Sequence, residues 1–250
     1  MTPPLAATTH LLAAALATGP AALDALYGAP AADRRDRFLT LLAIYDLHTA
    51  PLEVVGAAAR HQGHPAVADL KSRLETQWLD ELDTAWQRAP QLPDASTPAG
   101  AVAAMRTVAA RDRLPTAYRW LAKQASWSEL VNFLAVEGGP DGGFDDLVAV
   151  CQIGLSGSAK LELAQNYWDE MGGGDPDGVH TTLHERLVEA VQMPQVPRHD
   201  QPVEALERSA LGGLLAGELR LAVAVVEANP VRLVVVLTND ARAVEMRGVA

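Results

Sequence analysis

Glu170 and His180 stand on either side of MGGGDPDGV, an acid and an imidazole separated by a stretch of glycine and aspartate. A polar-dotted helix runs into Met171, the glycines 172–174 free the backbone, and Asp175-Pro176 offers a capping residue followed by proline at the first position of a second helix. The pattern predicts a tight helical hairpin. At a rise of about 1.5 Å per residue, Glu170 just before the turn and His180 about one turn after it reach similar heights on facing helices. A carboxylate and an imidazole placed in this way can grip one metal ion.

A third residue invites the same chemistry. Glu137 falls four residues beyond Phe133, three beyond Leu134 and seven beyond Leu130, so it rides on the apolar stripe of its helix. An ionised group there must find a cation, hydrogen-bond donors or a metal. Each of the three has an ordinary alternative. Glu137 beside glycines at a helix end reads equally as half-exposed, Glu170 beside Asp169 as a solvated pair, and His180, sharing a face with Leu183, His184, Leu187 and Val191, as a core histidine. His184, four residues after His180, has the spacing of a zinc pair, but Thr181 stands where an H-E-x-x-H protease has its glutamate. It is read first as packing or as support for a ligand. Asn166 and Glu162, one and two turns before Glu170, could orient a ligand, though a polar helix flank is the commoner reason for such residues. Lys160 and Trp168 read as structural. EGGPDGG at 137–143 has no strand before it and no Lys-Ser/Thr after it, so it is no phosphate cradle.

The elements that must position these residues are helices. Short apolar helices are expected at 5–17 and 20–27, and 31–47 places Phe38, Leu41, Leu42 and Tyr45 on one inward stripe. Another helix covers 50–61. Pro65 opens a long one to Trp86, with Leu70, Leu74, Trp78, Leu79, Leu82 and Trp86 inward and Glu75, Asp80, Glu81 and Asp83 solvated. The proline-rich 90–98 is a loop. Helices follow at 99–112, 115–137, about 142–153, 157–171 and 176–192, the breaks marked by Gly138-Gly139-Pro140, Gly154 and Gly157. From about residue 217 the character changes: the chain becomes valine-rich, and VRLVVVLT at 231–238 reads as a lone strand in an all-α protein. The organisation expected is one helical domain over 1–216 and an atypical tail over 217–250.

With D-E-x-G-x-G at 169–174, the acidic loop and H-x3-H at 180–184, preceded by W-x-E-L-x-x-F-L-x-x-E at 127–137 and G-F-D-D-L at 143–147, the chain resembles the haem-oxygenase-like di-iron oxidases, also called iron-containing redox enzymes. The resemblance spans about residues 100–190. It implies a haem-oxygenase-like helical bundle and a half-site for non-haem iron made by Glu137, Glu170 and His180. It also implies O2 activation to oxidise a small organic molecule, by N-oxygenation, desaturation or C–C cleavage. Hard carboxylates can bridge metals, and imidazole suits iron. Members of that family continue with a helix carrying H-x3-D-x2–3-H, and no such pattern follows His184 here; His199-Asp200 has no second histidine. A truncated or frame-shifted reading would explain both this and the unusual tail. Fe(II) is therefore expected as one or two ions, or as none if the ligand set is incomplete. Two other readings stay open: an inactive homologue acting as a helical interaction protein, and a haem-linked protein with His180 or His184 as axial ligand.

Composition narrows the classes. A chain of 250 residues, 49% hydrophobic and with mean hydropathy near zero, can bury one sizeable core, and abundant Ala and Leu with 5% aromatics suits packed helices. A net charge of −11 without a Lys/Arg cluster argues against nucleic acid as a partner. The single cysteine, Cys151, lies among apolar residues and reads as a buried thiol in a reducing compartment. The apolar run near residue 10 has no basic flank before it and is interrupted by Gly19-Pro20, so neither a signal peptide nor a membrane span is expected and the cytoplasm is the default. The expected partners are a small-molecule substrate and O2; a homodimer is left open.

Overall fold

The computed structural model describes residues 7–30, 32–88, 91–111, 115–137 and 144–214, without the side chains of residues 7, 86, 137 and 144. Among the described residues the fold is all-α. In chain order the helices are α1 (Ala7–Thr18), α2 (Pro20–Leu23), α3 (Arg34–Thr49), α4 (Leu52–Val55), α5 (Pro65–Trp86), α6 (Pro98–Arg111), α7 (Thr116–Lys123), α8 (Trp127–Glu137), α9 (Phe144–Cys151), α10 (Gly157–Glu170), α11 (His180–Val191) and α12 (203–214). Short 3-10 turns follow α2 and α4 at Asp24–Gly28 and Gly56–His61.

The main core gathers α1, α3, α5 and α12. Helix α3 begins where the Asp33 side chain accepts from the Asp36 amide at 2.8 Å, and its stripe of Phe38, Leu41, Leu42 and Tyr45 is buried as its spacing predicts. From α5, capped by His64 and opened by Pro65, come Leu70, Leu74 and Trp78; the Trp78 ring meets Phe38 edge-on at 4.8 Å. Each such large apolar side chain taken out of water stabilises the fold by about 1.5–3 kcal/mol. Leu206, Ala210 and Leu214 of α12 close the same cluster, which therefore draws on residues near both ends of the described chain. Polar contacts hold α12 in place. Arg34 pairs with Glu207, Glu207 also accepts from Trp78 Nε1 at 3.2 Å, and the guanidinium of Arg35 donates to the carbonyls of His199 and Gln201.

Two charged side chains lie within this core. Asp36 accepts from the amides of Thr8 and Thr9 at 3.0 and 2.9 Å and from the Thr9 hydroxyl at 2.7 Å, so one carboxylate caps the start of a neighbouring helix. Arg37 is 1% exposed and forms a two-pronged pair with Glu81 at 2.7 and 2.6 Å.

Several local expectations are corrected. Leu82 is exposed, because α5 extends beyond the core at that turn, and Glu75 is drawn in rather than solvated, accepting from the Tyr45 hydroxyl at 2.8 Å and from Lys71 at 2.7 Å. The helix expected over 115–137 is two, α7 and α8, separated at Gln124–Ser126. Glu129 there folds back onto the Ser126 amide and hydroxyl, a reciprocal cap that starts α8 afresh. Cys151 is buried, as expected. Residues 215–250, and with them the strand read at 231–238, lie outside the described residues.

Candidate metal centre

Helices α10 and α11 are joined through the turn that the glycines predict, but the two helices barely touch beyond that turn, so they do not pack as the tight pair of facing helices expected. Gly172, Gly173 and Gly174 all have positive φ, 64°, 63° and 89°, a run of left-handed conformations that side chains resist. The second helix, however, begins later than expected. Asp175 accepts from the Asp177 amide at 3.0 Å and makes a local turn instead of a helix cap, so α11 starts at His180 and not at Pro176. His180 is thus the first residue of α11 and Glu170 the last of α10.

Their side chains meet. His180 Nδ1 stands 2.5 Å from Glu170 Oε2. An ionised carboxylate can only accept, so with Glu170 in that form the imidazole Nδ1–H is the donor of this bond. The Glu170 side chain is 14% exposed and that of His180 is 45% exposed, so the acid is mostly covered and the pair opens to solvent on the histidine side. This corrects both ordinary alternatives: Glu170 is not a solvated partner of Asp169, whose carboxylate accepts from Gln165 at 2.8 Å, and His180 is not a core histidine.

His184 follows one turn along α11. Burial and then the neighbouring His180 lower its pKa and favour the neutral imidazole, against the opposing pull of the Glu185 carboxylate. Leu183 and Leu187 on the same helix are exposed, so α11 carries no buried stripe. Glu162 is exposed and Asn166 half-buried, which removes Glu162 from any orienting role.

Glu137 is the final residue of α8, and its side chain lies outside the described residues. Just before it, Arg208 of α12 donates to the Val136 carbonyl at 3.2 Å, placing a cation at the helix end that attracts one. Among the described residues no group of three or more acidic, histidine or cysteine side chains is arranged to hold a metal. The structure therefore brings Glu170 and His180 together and leaves the place of Glu137 open. Alongside, α7 and α8 line an open cleft of about 550 Å³, formed by Ala117, Tyr118, Leu121, Asn132, Phe133 and Val136. Residue spacing did not indicate this cleft, because it forms between two helices expected to be one.

Among the described residues no helix is long and apolar enough to cross a membrane. No curated protein and no solved structure matches the chain. The family model of the iron-containing redox enzymes matches residues 132–236, which takes in Glu137, the hairpin and part of the valine-rich tail. The match covers less than half of the chain, but it bears out the resemblance carried by the D-E-x-G-x-G and H-x3-H motifs, and it brings a redox function in general. Over these residues the chain is similar to the iron-containing redox enzymes.

Proposed function

We propose that the protein is a non-haem iron oxidase or oxygenase that uses O2 to oxidise a small organic molecule, with Glu170 and His180 as iron ligands and Glu137 as the third. The observation that carries this reading is the 2.5 Å approach of Glu170 Oε2 to His180 Nδ1 across the hairpin of a family-matched segment. The donors suit the metal: a hard anionic oxygen and an imidazole nitrogen are what ferrous iron takes in sites built from one carboxylate and histidines. Bound iron would supply the electron transfers that let O2 react with an organic molecule.

The chain's own residues contribute the rest. Glu170, mostly covered, places its carboxylate oxygen 2.5 Å from His180 Nδ1, so a cation bound there would take the place of the shared proton. The cleft between α7 and α8 ends at Val136, next in the chain to Glu137. Its ring pair, Tyr118 and Phe133 at 6.0 Å edge to face, offers an apolar wall and Asn132 one amide, which suits a small, largely uncharged substrate.

Anaerobic addition of Fe(II), with bound iron counted per chain and O2 uptake followed on mixing with air, tests the proposal. It requires at least one iron per chain and uptake abolished by a chelator. A second reading, a helical interaction protein without iron, requires zero bound iron.

A further inference from the structure

The hairpin that joins Glu170 to His180 leans on one side chain. Trp168 stands on α10 two residues before Glu170, and its ring reaches past the end of its own helix. A Cβ on Gly174 would stand 2.8 Å from Trp168 Cη2 and 3.0 Å from Cζ2, and one on Gly173 would stand 3.8 Å from Nε1. On its other side the turn closes on itself, with Gly172 packed against Gly178 and the amide of Val179. The indole is 52% exposed and takes no part in the main core. Its contact is with the turn.

The geometry points to Trp168 as a positioning residue: its indole braces turn 172–178 so that His180, at the start of α11, faces Glu170. The brace is needed because three successive glycines have the most backbone freedom to lose on ordering. Backbone hydrogen bonds from Gly174 to Met171 and from Asp175 to Gly172, both 3.1 Å, close the turn locally, but Val179 gives the start of α11 no side-chain cap. The second half of the turn has its own tie, Arg186 to the carbonyl and carboxylate of Asp177. The first half has the indole. The functional meaning of this brace rests on the iron reading; the brace itself does not.

The test uses the full-length, metal-free protein with its histidine ring nitrogens labelled for NMR at one fixed pH. The His180 signal is identified by its loss in His180→Ala, and Glu170→Ala gives its position without the acid. Trp168→Ala should move the His180 signal most of the way to the Glu170→Ala position. Trp168→Phe, which keeps a ring over Gly174, should restore it, and Leu161→Ala, an exposed change on the same helix, should leave it unmoved. Gly174→Ala, which forces the ring aside, should act like Trp168→Ala and serves as the second variant if the latter fails to fold. A wild-type signal in both Trp168→Ala and Gly174→Ala, or equal displacement by Phe and Ala at 168, overturns the inference. Fe(II) affinity should fall about tenfold in Trp168→Ala and little in Trp168→Phe, as for other residues that orient a metal ligand. Wild-type protein that binds no iron would overturn the proposed function while leaving the NMR outcome to decide the role of Trp168.

Discussion

Gly172 lies so close to Gly178 that a Cβ on the first would stand 2.5 Å from the carbonyl carbon of the second. Gly174 is crowded in the same way by Trp168, whereas at Gly173 the nearest atom would be 3.8 Å away. The outer two glycines of the D-E-x-G-x-G motif therefore answer to space as well as to positive φ, and the middle one to φ alone. Gly172→Ala, whose Cβ would meet backbone, should destabilise the protein by more than the ~1 kcal/mol expected of left-handed strain alone, Gly174→Ala by about that much because the exposed indole can swing aside, and Gly173→Asn, a residue that tolerates that conformation, by less. Urea unfolding of the three variants measures this, and equal costs at all three positions would contradict it.

Asp36 should make stability depend on pH in the acid range. Burial alone would raise its pKa, but the hydrogen bonds from Thr9 and Thr8 outweigh it and hold the carboxyl below the ordinary 3.8. A group with a depressed folded-state pKa contributes stability that is present above its unfolded value and lost as pH falls through the folded one. Asp36→Asn should thus cost about 1–3 kcal/mol near neutral pH, and the gap from wild type should narrow as pH drops below 3.8. Chemical denaturation at stepped pH checks it; a gap that does not change with pH would show that the carboxylate charge is not what caps α1.

Arg37 and Glu81 should respond unequally to removal. Arg37 is 1% exposed and its Nε has no hydrogen-bond partner among the described residues, whereas the Glu81 side chain is 54% exposed. Glu81→Leu strands a buried guanidinium and should cost toward the lower end of ~3–5 kcal/mol, because water can partly replace the acid. Arg37→Met removes the charge with the shape retained and should cost less. Thermal unfolding of the two variants gives the order, and the reverse order would contradict this account of the pair.

At the seam between α12 and α3 the expected effect is steric. A Cβ on Gly213 would meet the Tyr45 ring at 2.4–2.7 Å, within a buried cluster, so Gly213→Ala should destabilise by about 1–3 kcal/mol. At Gly212 the close atom is the tip of Leu147 at 3.0 Å, which can turn away, and Gly28 has no neighbour within 4 Å. Melting temperatures should therefore fall most for Gly213→Ala, less for Gly212→Ala and least for Gly28→Ala.

The parts of the fold legible in the sequence were those written in local pattern. The stripe Phe38, Leu41, Leu42, Tyr45 and the glycine run at 172–174 each announce themselves within a few residues, and both behave as their pattern predicts. What was hidden depends on partners far along the chain. Glu75 looks like a surface acid until Tyr45 reaches it, and Leu82 looks like core until α5 proves to outrun its neighbours. The Glu170–His180 contact was readable because a hairpin makes it local. Trp168 reads in the sequence as merely structural, and its closeness to the turn shows only in the space above Gly174. Glu137 reaches any partner through tertiary packing, and its side chain lies outside the described residues.

The central claim is that Glu170 and His180 hold iron together, and anaerobic Fe(II) binding to wild type, Glu170→Ala, His180→Ala and the double variant tests it most directly. Two ligands of one ion act as a unit, so each single change should abolish nearly as much affinity as both, with helical content unchanged by circular dichroism. Binding that survives either single change at wild-type affinity, or losses that simply add, would contradict a shared iron.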